Sequence, residues 1–245
     1  MEQQQSFLTA QWRHVVLLNY EIDPATLTPH IPIGTELDLF DGRALVSVVG
    51  FMFLNTKVLG VPIPFHVNFP EVNLRFYARR KDGDTWKRGV VFVKEIVPRF
   101  AIATIARLMY NENYVSMPMR AVCKTDGDTL QHDSIVAYSW QDASKWNSVE
   151  ARITGDAYTP SPDSEEGFIV EHYWGYTKQR DGGTMEYQVE HPRWKLWQTS
   201  EAALDCDVAN VYGASFTDAL AQKPRSAFVA DGSEIVVRKG LRLAP

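Results

Sequence analysis

GVVFVKEIVPRFAIATIARLMYNENYVSMPM, residues Gly89 to Met119, is the stretch on which the fold reading turns. It opens as a strand, with Val90, Phe92 and Ile96 on one side and Val91, Val93 and Val97 on the other. Apolar residues on both faces predict a strand covered on both sides, as in a barrel or a sheathed sheet. Lys94 and Glu95 interrupt that run, and a period of two sends them to opposite faces. Pro98 ends the ladder. The spacing of Phe100, Ile102, Ile105, Leu108 and Met109 then predicts a helix. It runs into a polar-aromatic group of Arg107, Tyr110, Asn111, Glu112, Asn113 and Tyr114. Charges inside an apolar element are costly unless paired or used, which makes this stretch the first place to look for chemistry.

On its N-terminal side, Trp12 to Ile22 reads as a strand, and Asp23-Pro24 as a cap and first turn of a short helix ending near His30. Glu36 to Phe40 alternates, Asp41-Gly42 is a hairpin signal, and Ala44 to Leu54 is a long apolar strand. A proline-rich crossing at Gly60 to Phe65 leads to a strand over Phe69 to Arg80, turned by Lys81-Asp82-Gly83. On the C-terminal side, Met119 to Thr125 and Thr129 to Trp140 flank a turn at Asp126-Gly127-Asp128, and Val149 to Ala157 is a further strand. Phe168 to Tyr176 is ambiguous between helix and strand. Thr184 to Val189 and Trp194 to Thr199 extend the sheet, Val208 to Ala221 is helical, and a last hairpin turns at Asp231-Gly232. No long linker and no internal repeat divides the chain, so one domain over residues 1–245 is expected. The class is α+β and β-rich.

The 245 residues are 45% hydrophobic, enough for a sizeable core, and carry a formal net charge of -5 with no basic run. Nucleic acid, which needs a clustered basic face, is therefore not an expected partner. The start, MEQQQSFLTAQW, lacks the order of a signal peptide, and the apolar runs are too short to span a bilayer. Cys123 and Cys206 form no framework. A cytoplasmic protein with no membrane partner is expected, while homo-oligomerisation is left open.

Within the strand over Phe69 to Arg80, Glu71, Asn73 and Arg75 fall on one face and Val72, Leu74 and Phe76 on the other. A carboxylate, an amide and a guanidinium in a row can orient a small polar ligand; the alternative is a solvated outer face. Lys94, in an apolar setting, would become nucleophilic if desolvated in a closed pocket. Otherwise it is a snorkelling lysine or the partner of a carboxylate such as Glu71. Lys94 and Glu71 are the catalytic candidates, expected to converge with Arg75 on one cavity. Asn73, Arg75, Arg107, Tyr114 and His191 are the ligand-binding candidates. The structural readings stand first for three of them: Arg107 as a tie to Glu112, Tyr114 as a packing residue, and His191 as a hydrogen-bonded structural histidine rather than an acid-base group in a pocket wall. The histidines are scattered without metal spacing, so no metal is expected. GxSxG, P-loop and GxGxxG motifs are absent, and no cofactor is expected.

The blocks FxEVNLRxY (Phe69 to Tyr77), GVVFVKEIVPR to ARLMYNE, HPRW (His191 to Trp194) and VYGxxF (Val211 to Phe216) resemble the YqjF-like family of the acetoacetate-decarboxylase-like superfamily. That resemblance implies a β-barrel or cone enclosing a pocket, with a few helices packed outside. It implies that Ala106-Arg107 matches the start of the decarboxylase motif and Glu71 a glutamate of its pocket. In the decarboxylase that motif continues to two adjacent lysines, one forming a Schiff base and the other lowering its pKa. Leu108 to Tyr114 holds no lysine, and no Lys-Lys pair occurs in the chain. The expected function is a small-molecule pocket for an organic acid or carbonyl compound, without lysine Schiff-base decarboxylation. The alternatives are a non-catalytic binding or sensing protein and an interaction scaffold.

Overall fold

The structure, a computed structural model, describes residues 5–98, 113–125 and 129–243. Its strands are β1 (Ser6–Ile22), β2 (Glu36–Leu37), β3 (Ala44–Val58), β4 (Val61–Pro62), β5 (Phe69–Asp82), β6 (Thr85–Val97), β7 (Tyr114–Ser116) and β8 (Met119–Lys124). They continue as β9 (Ile135–Asp142), β10 (Lys145–Tyr158), β11 (Trp174–Lys178), β12 (Thr184–Glu190), β13 (Leu196–Asp205), β14 (Ser226–Arg238) and β15 (Leu241–Leu243). The helices are short: α1 (Pro24–Leu27), α2 (Glu165–Val170), α3 (Val208–Val211) and α4 (Thr217–Leu220). The helix predicted from Phe100 to Met109, and the turn at Asp126-Gly127-Asp128, lie outside the described residues.

Neighbour follows neighbour in the order β12-β11-β6-β5-β3-β1-β14, and β14 pairs back onto β12 through Val189↔Val237 and Glu190↔Val236. Those strands close into a cone-like ring, which removes the exposed edges an open sheet would present. The sheet then continues from β14 through β13, β10, β9 and β8 and covers one side of the ring.

β14 belongs to both parts because it bends. Its first half pairs with β13 (Leu196↔Ala230) and its second with β12. Gly232 sits between them at φ +84, where a Cβ would come within 2.0 Å of the Trp12 carbonyl oxygen. Only glycine permits both that conformation and that approach. The hairpin expected at Asp231-Gly232 is therefore a kink inside one continuous strand. By contrast, Gly83 at φ +59 does turn β5 into β6, with Asp82 opposite Thr85. The ambiguous run Phe168 to Tyr176 divides: Ser164 caps α2 by accepting from Gly167 N at 3.1 Å, and β11 begins at Trp174.

The ring strands carry two cores. One face of β1, β3, β5 and β6 presents Val16, Leu18, Val46, Val48, Val72, Leu74, Phe76 and Val91 to Val136, Tyr138, Trp140, Val149 and Ile153 of the covering sheet. Gly50 makes room there, since any Cβ would meet the Tyr138 ring at 2.5 Å. The other face gathers Val15, Val49, Phe51, Phe53, Phe69, Tyr77 and Val90 with Phe168 and Ile169 of α2. A cavity opens on that second face.

Candidate functional site

The cavity holds about 160 Å³ and is bounded by β1, β3, β5, β6, β7, β11, β12, β14 and the end of α2. That is an order of magnitude more than the ~10–15 Å³ one water needs on this measure. Most of its wall is apolar and aromatic, with Trp12, Phe51, Phe53, Phe69, Phe92 and Trp194 contributing. Polar groups converge from β5, β6, β7 and the segments flanking β11 and β12.

β5 supplies the row. Its period of two places Phe69, Glu71, Asn73 and Arg75 on the cavity wall while Val72, Leu74 and Phe76 go outward. Glu71 and Asn73 are each 2% exposed. One Glu71 oxygen accepts from Asn73 Nδ2 at 3.0 Å and the other from the Tyr114 hydroxyl at 3.2 Å. Among the described residues, Asn73 Oδ1 is buried without a hydrogen-bond partner, and so is Arg75 Nε. Arg75 Nη2 makes a long bond to the Ile169 carbonyl at 3.4 Å, and its guanidinium lies 5.7 Å from the centre of the Tyr77 ring. Tyr114 is carried by β7, which lies parallel to β6 with Glu95 opposite Tyr114.

Lys94 is not in this group, and the expectation that it converges with Glu71 and Arg75 is corrected. Leu74 faces Lys94 but Arg75 faces Phe92, so Val93 is an extra residue, a β-bulge in β6. Past a bulge the alternation slips by one position. Phe92 lines the cavity, Lys94 turns outward with Leu74, and Glu95 takes the inward place opposite Asn73. The Lys94 amine donates to the Val211 carbonyl of α3 on the outer face. Burial lowers its pKa, while Asp142 and Cys206 pull the other way.

His191 follows β12 on the cavity wall, stacked on Trp194 at 4.5 Å between ring centres and beside Tyr173 at 4.7 Å. Its Nδ1 lies 2.9 Å from the Pro192 carbonyl. Burial lowers its pKa, against the raising effects of that carbonyl and of Glu171. Arg107 lies outside the described residues. Glu71, Asn73, Arg75, Tyr114 and His191 thus share one cavity.

Sequence reasoning passed over two residues. His172, directly after α2, lines the cavity with its side chain 1% exposed, and Nε2 is 3.1 Å from Asp38 Oδ2. Asp38 also accepts from Arg88 Nε at 2.6 Å, and its backbone N–H donates to the Tyr77 carbonyl at 3.0 Å. Burial pushes the Asp38 carboxyl up, but the hydrogen bonds and charges of His172 and Arg88 outweigh it and leave it below its usual value. His172 is lowered by burial despite Asp38. The partners are 134 residues apart, and the only local signal was the alternation of Glu36 to Phe40. Among the described residues, no group of three or more His, Cys, Asp or Glu is placed to hold a metal ion, and no helix is long and apolar enough to cross a membrane.

Comparison with known proteins bears on this arrangement. The chain is 26% identical over 209 residues to uncharacterized protein YqjF of Bacillus subtilis (strain 168), covering 84% of this chain and 82% of that protein. An acetoacetate decarboxylase-like enzyme from Sphingomonas wittichii RW1 superposes with a TM-score of 0.67 at 12% identity, covering 98% of this chain and 94% of that one. The enduracididine biosynthesis enzyme MppR, in complex with pyruvate, gives 0.68 at 10% identity over 100% of this chain and 92% of its own. At such identities these likenesses show the fold alone, an acetoacetate-decarboxylase-like ring. Residues 9–234 match the model of DUF2071, described as an uncharacterized conserved protein, and the chain belongs to that family.

Proposed function

We propose that this protein binds or transforms a small organic acid or carbonyl compound in the ring cavity, without lysine Schiff-base decarboxylation. One observation carries the reading. Among the described residues, Asn73 Oδ1 and Arg75 Nε are buried on the cavity wall without partners, and an orphaned buried polar atom costs about 1–3 kcal/mol. A ligand oxygen accepting from the guanidinium and a ligand donor meeting the amide oxygen would satisfy both. The aromatic remainder of the wall suits the ligand's apolar body. Among the described residues no lysine lines the cavity, which favours non-catalytic binding or sensing as the second reading.

Isothermal titration of acetoacetate and pyruvate tests the proposal. Saturable binding that weakens at least tenfold in Arg75→Met supports it. Binding unchanged in Arg75→Met, or no binding of either acid, overturns it.

A further inference from the structure

We propose that Asp38 and His172 form the proton acceptor of the cavity, with His172 Nδ1 taking a proton from the carbon beside the carbonyl of a bound oxo acid. This rests on the reading of the cavity given above. Geometry carries it. The carboxylate of Asp38 is held by Arg88 at 2.6 Å, with Arg79 4.0 Å from its second oxygen. A carboxylate in contact with Nε2 fixes the tautomer that carries its proton there, as in the orienting partner of a catalytic histidine. Nδ1 then keeps its lone pair, and among the described residues Nδ1 is buried without a hydrogen-bond partner in a side chain that lines the cavity. The Tyr77 ring lies 4.8 Å from the His172 ring and 5.7 Å from the Arg75 guanidinium, so base and cation flank one side chain.

The step balances without a co-reactant. The C–H bond breaks and its proton forms the N–H bond at Nδ1. The electron pair becomes the C=C bond of an enolate, and the carbonyl π pair moves to oxygen, facing Arg75. The imidazolium formed is paired with Asp38, and the reverse transfer returns a proton to carbon. His172 touches the substrate; Asp38 is a positioning residue.

The groups facing His172 are Asp38 from the segment after β2, Arg88 from β6, Arg75 and Tyr77 from β5 and the apolar Phe168 from α2. Burial keeps the ring neutral at pH 7. The rate of proton removal is expected to level off at neutral pH and to fall on acidification as His172 protonates.

The experiment follows loss of the pyruvate methyl proton signal in D2O by NMR, with binding measured in parallel by titration. Wild type should accelerate exchange over buffer by about 100-fold or more, the usual scale of a positioned base. His172→Gln should return it to the buffer rate with pyruvate still bound, because the amide can donate to Asp38 but has no basic nitrogen. Asp38→Asn should lower the plateau and displace the pH profile while binding persists. If His172→Gln does not fold, nitrogen-15 spectra of histidine-labelled wild type decide: one Nδ1 resonance must move on saturation with pyruvate, and none moving overturns the proposal. Binding without exchange in wild type overturns this inference and leaves the cavity reading standing. Absence of binding removes both.

Discussion

β5 has two faces of nearly equal burial and opposite chemistry. Outward, Val72, Leu74, Phe76 and Ala78 are wholly buried against the covering sheet. Inward, Glu71 and Asn73 are almost as buried, yet the row ends in polar atoms at Asn73 and Arg75 with no partner among the described residues. Burial alone therefore does not distinguish core from site in this molecule. Along β5 the satisfaction of polar groups does, because a packed interior normally pairs nearly all of the polar groups it holds. An outer face without polar atoms is built for stability, and an inner face with orphaned ones retains a cost that a ligand can remove.

Truncation of the outer face should have the largest effect. Phe76→Ala is expected to destabilise by about 3–5 kcal/mol, the transfer loss of the ring plus the cavity left behind. Urea unfolding followed by tryptophan fluorescence measures it. A loss below ~1 kcal/mol would mean that the outer core is loosely packed, and the contrast with the inner face would disappear.

Acidification should act on the inner face. His172 is held below its usual pKa of 6.5, chiefly by burial, so the unfolded chain binds its proton more readily than the folded one. Stability is then complete above the unfolded value and falls as pH drops through 6.5 toward the folded value. One such group gives a slope of at most about 1.4 kcal/mol per pH unit. His14, His30 and His191 are shifted the same way, each first by burial, and add to it. Denaturation curves between pH 5 and about 7.5 should show the decline in wild type and a shallower one in His172→Gln. Parallel declines would place the titration elsewhere.

The inner row was legible in the sequence because β5 is an unbroken strand: two residues per repeat fixed Glu71, Asn73 and Arg75 on one face, and the structure keeps them there. The same rule failed four positions from the end of β6. A bulge adds one residue without any change of composition, so nothing at Val93 announces that Glu95 replaces Lys94 on the inside. Asp231-Gly232 misled for a related reason, since a glycine needed at a kink has the same letters as a hairpin turn. Phe168 to Tyr176 was ambiguous because it contains both the end of α2 and the start of β11. The pairing of Asp38 with His172 depends on ring closure, and no local pattern encodes it.

Removing the cation from the inner row should leave stability almost unchanged. Arg75→Met keeps the stem's packing and removes the buried Nε, which has no partner among the described residues. The melting free energy is expected to stay within about 1 kcal/mol of wild type or to rise, as when a charge kept for function is replaced. A loss of several kcal/mol would identify Arg75 as part of the structural framework and would weaken the distinction between the faces.

The smallest effect, none at all, is expected of Lys94. A Schiff base needs a neutral amine within reach of the bound carbonyl. Burial does lower the pKa of Lys94, which would favour the neutral form. Reach is what fails, because the bulge at Val93 sends the side chain to the outer face, where its amine donates to the Val211 carbonyl beside α3. A carbonyl compound inside the ring is separated from that amine by β6 itself. Incubation with acetoacetate followed by borohydride should therefore give no adduct at Lys94 by intact mass and peptide mapping, and Lys94→Ala should bind the acid as wild type does. A reduced adduct that maps to Lys94 and vanishes in Lys94→Ala would show that the outer face is chemically open, and would reverse the assignment of the two faces.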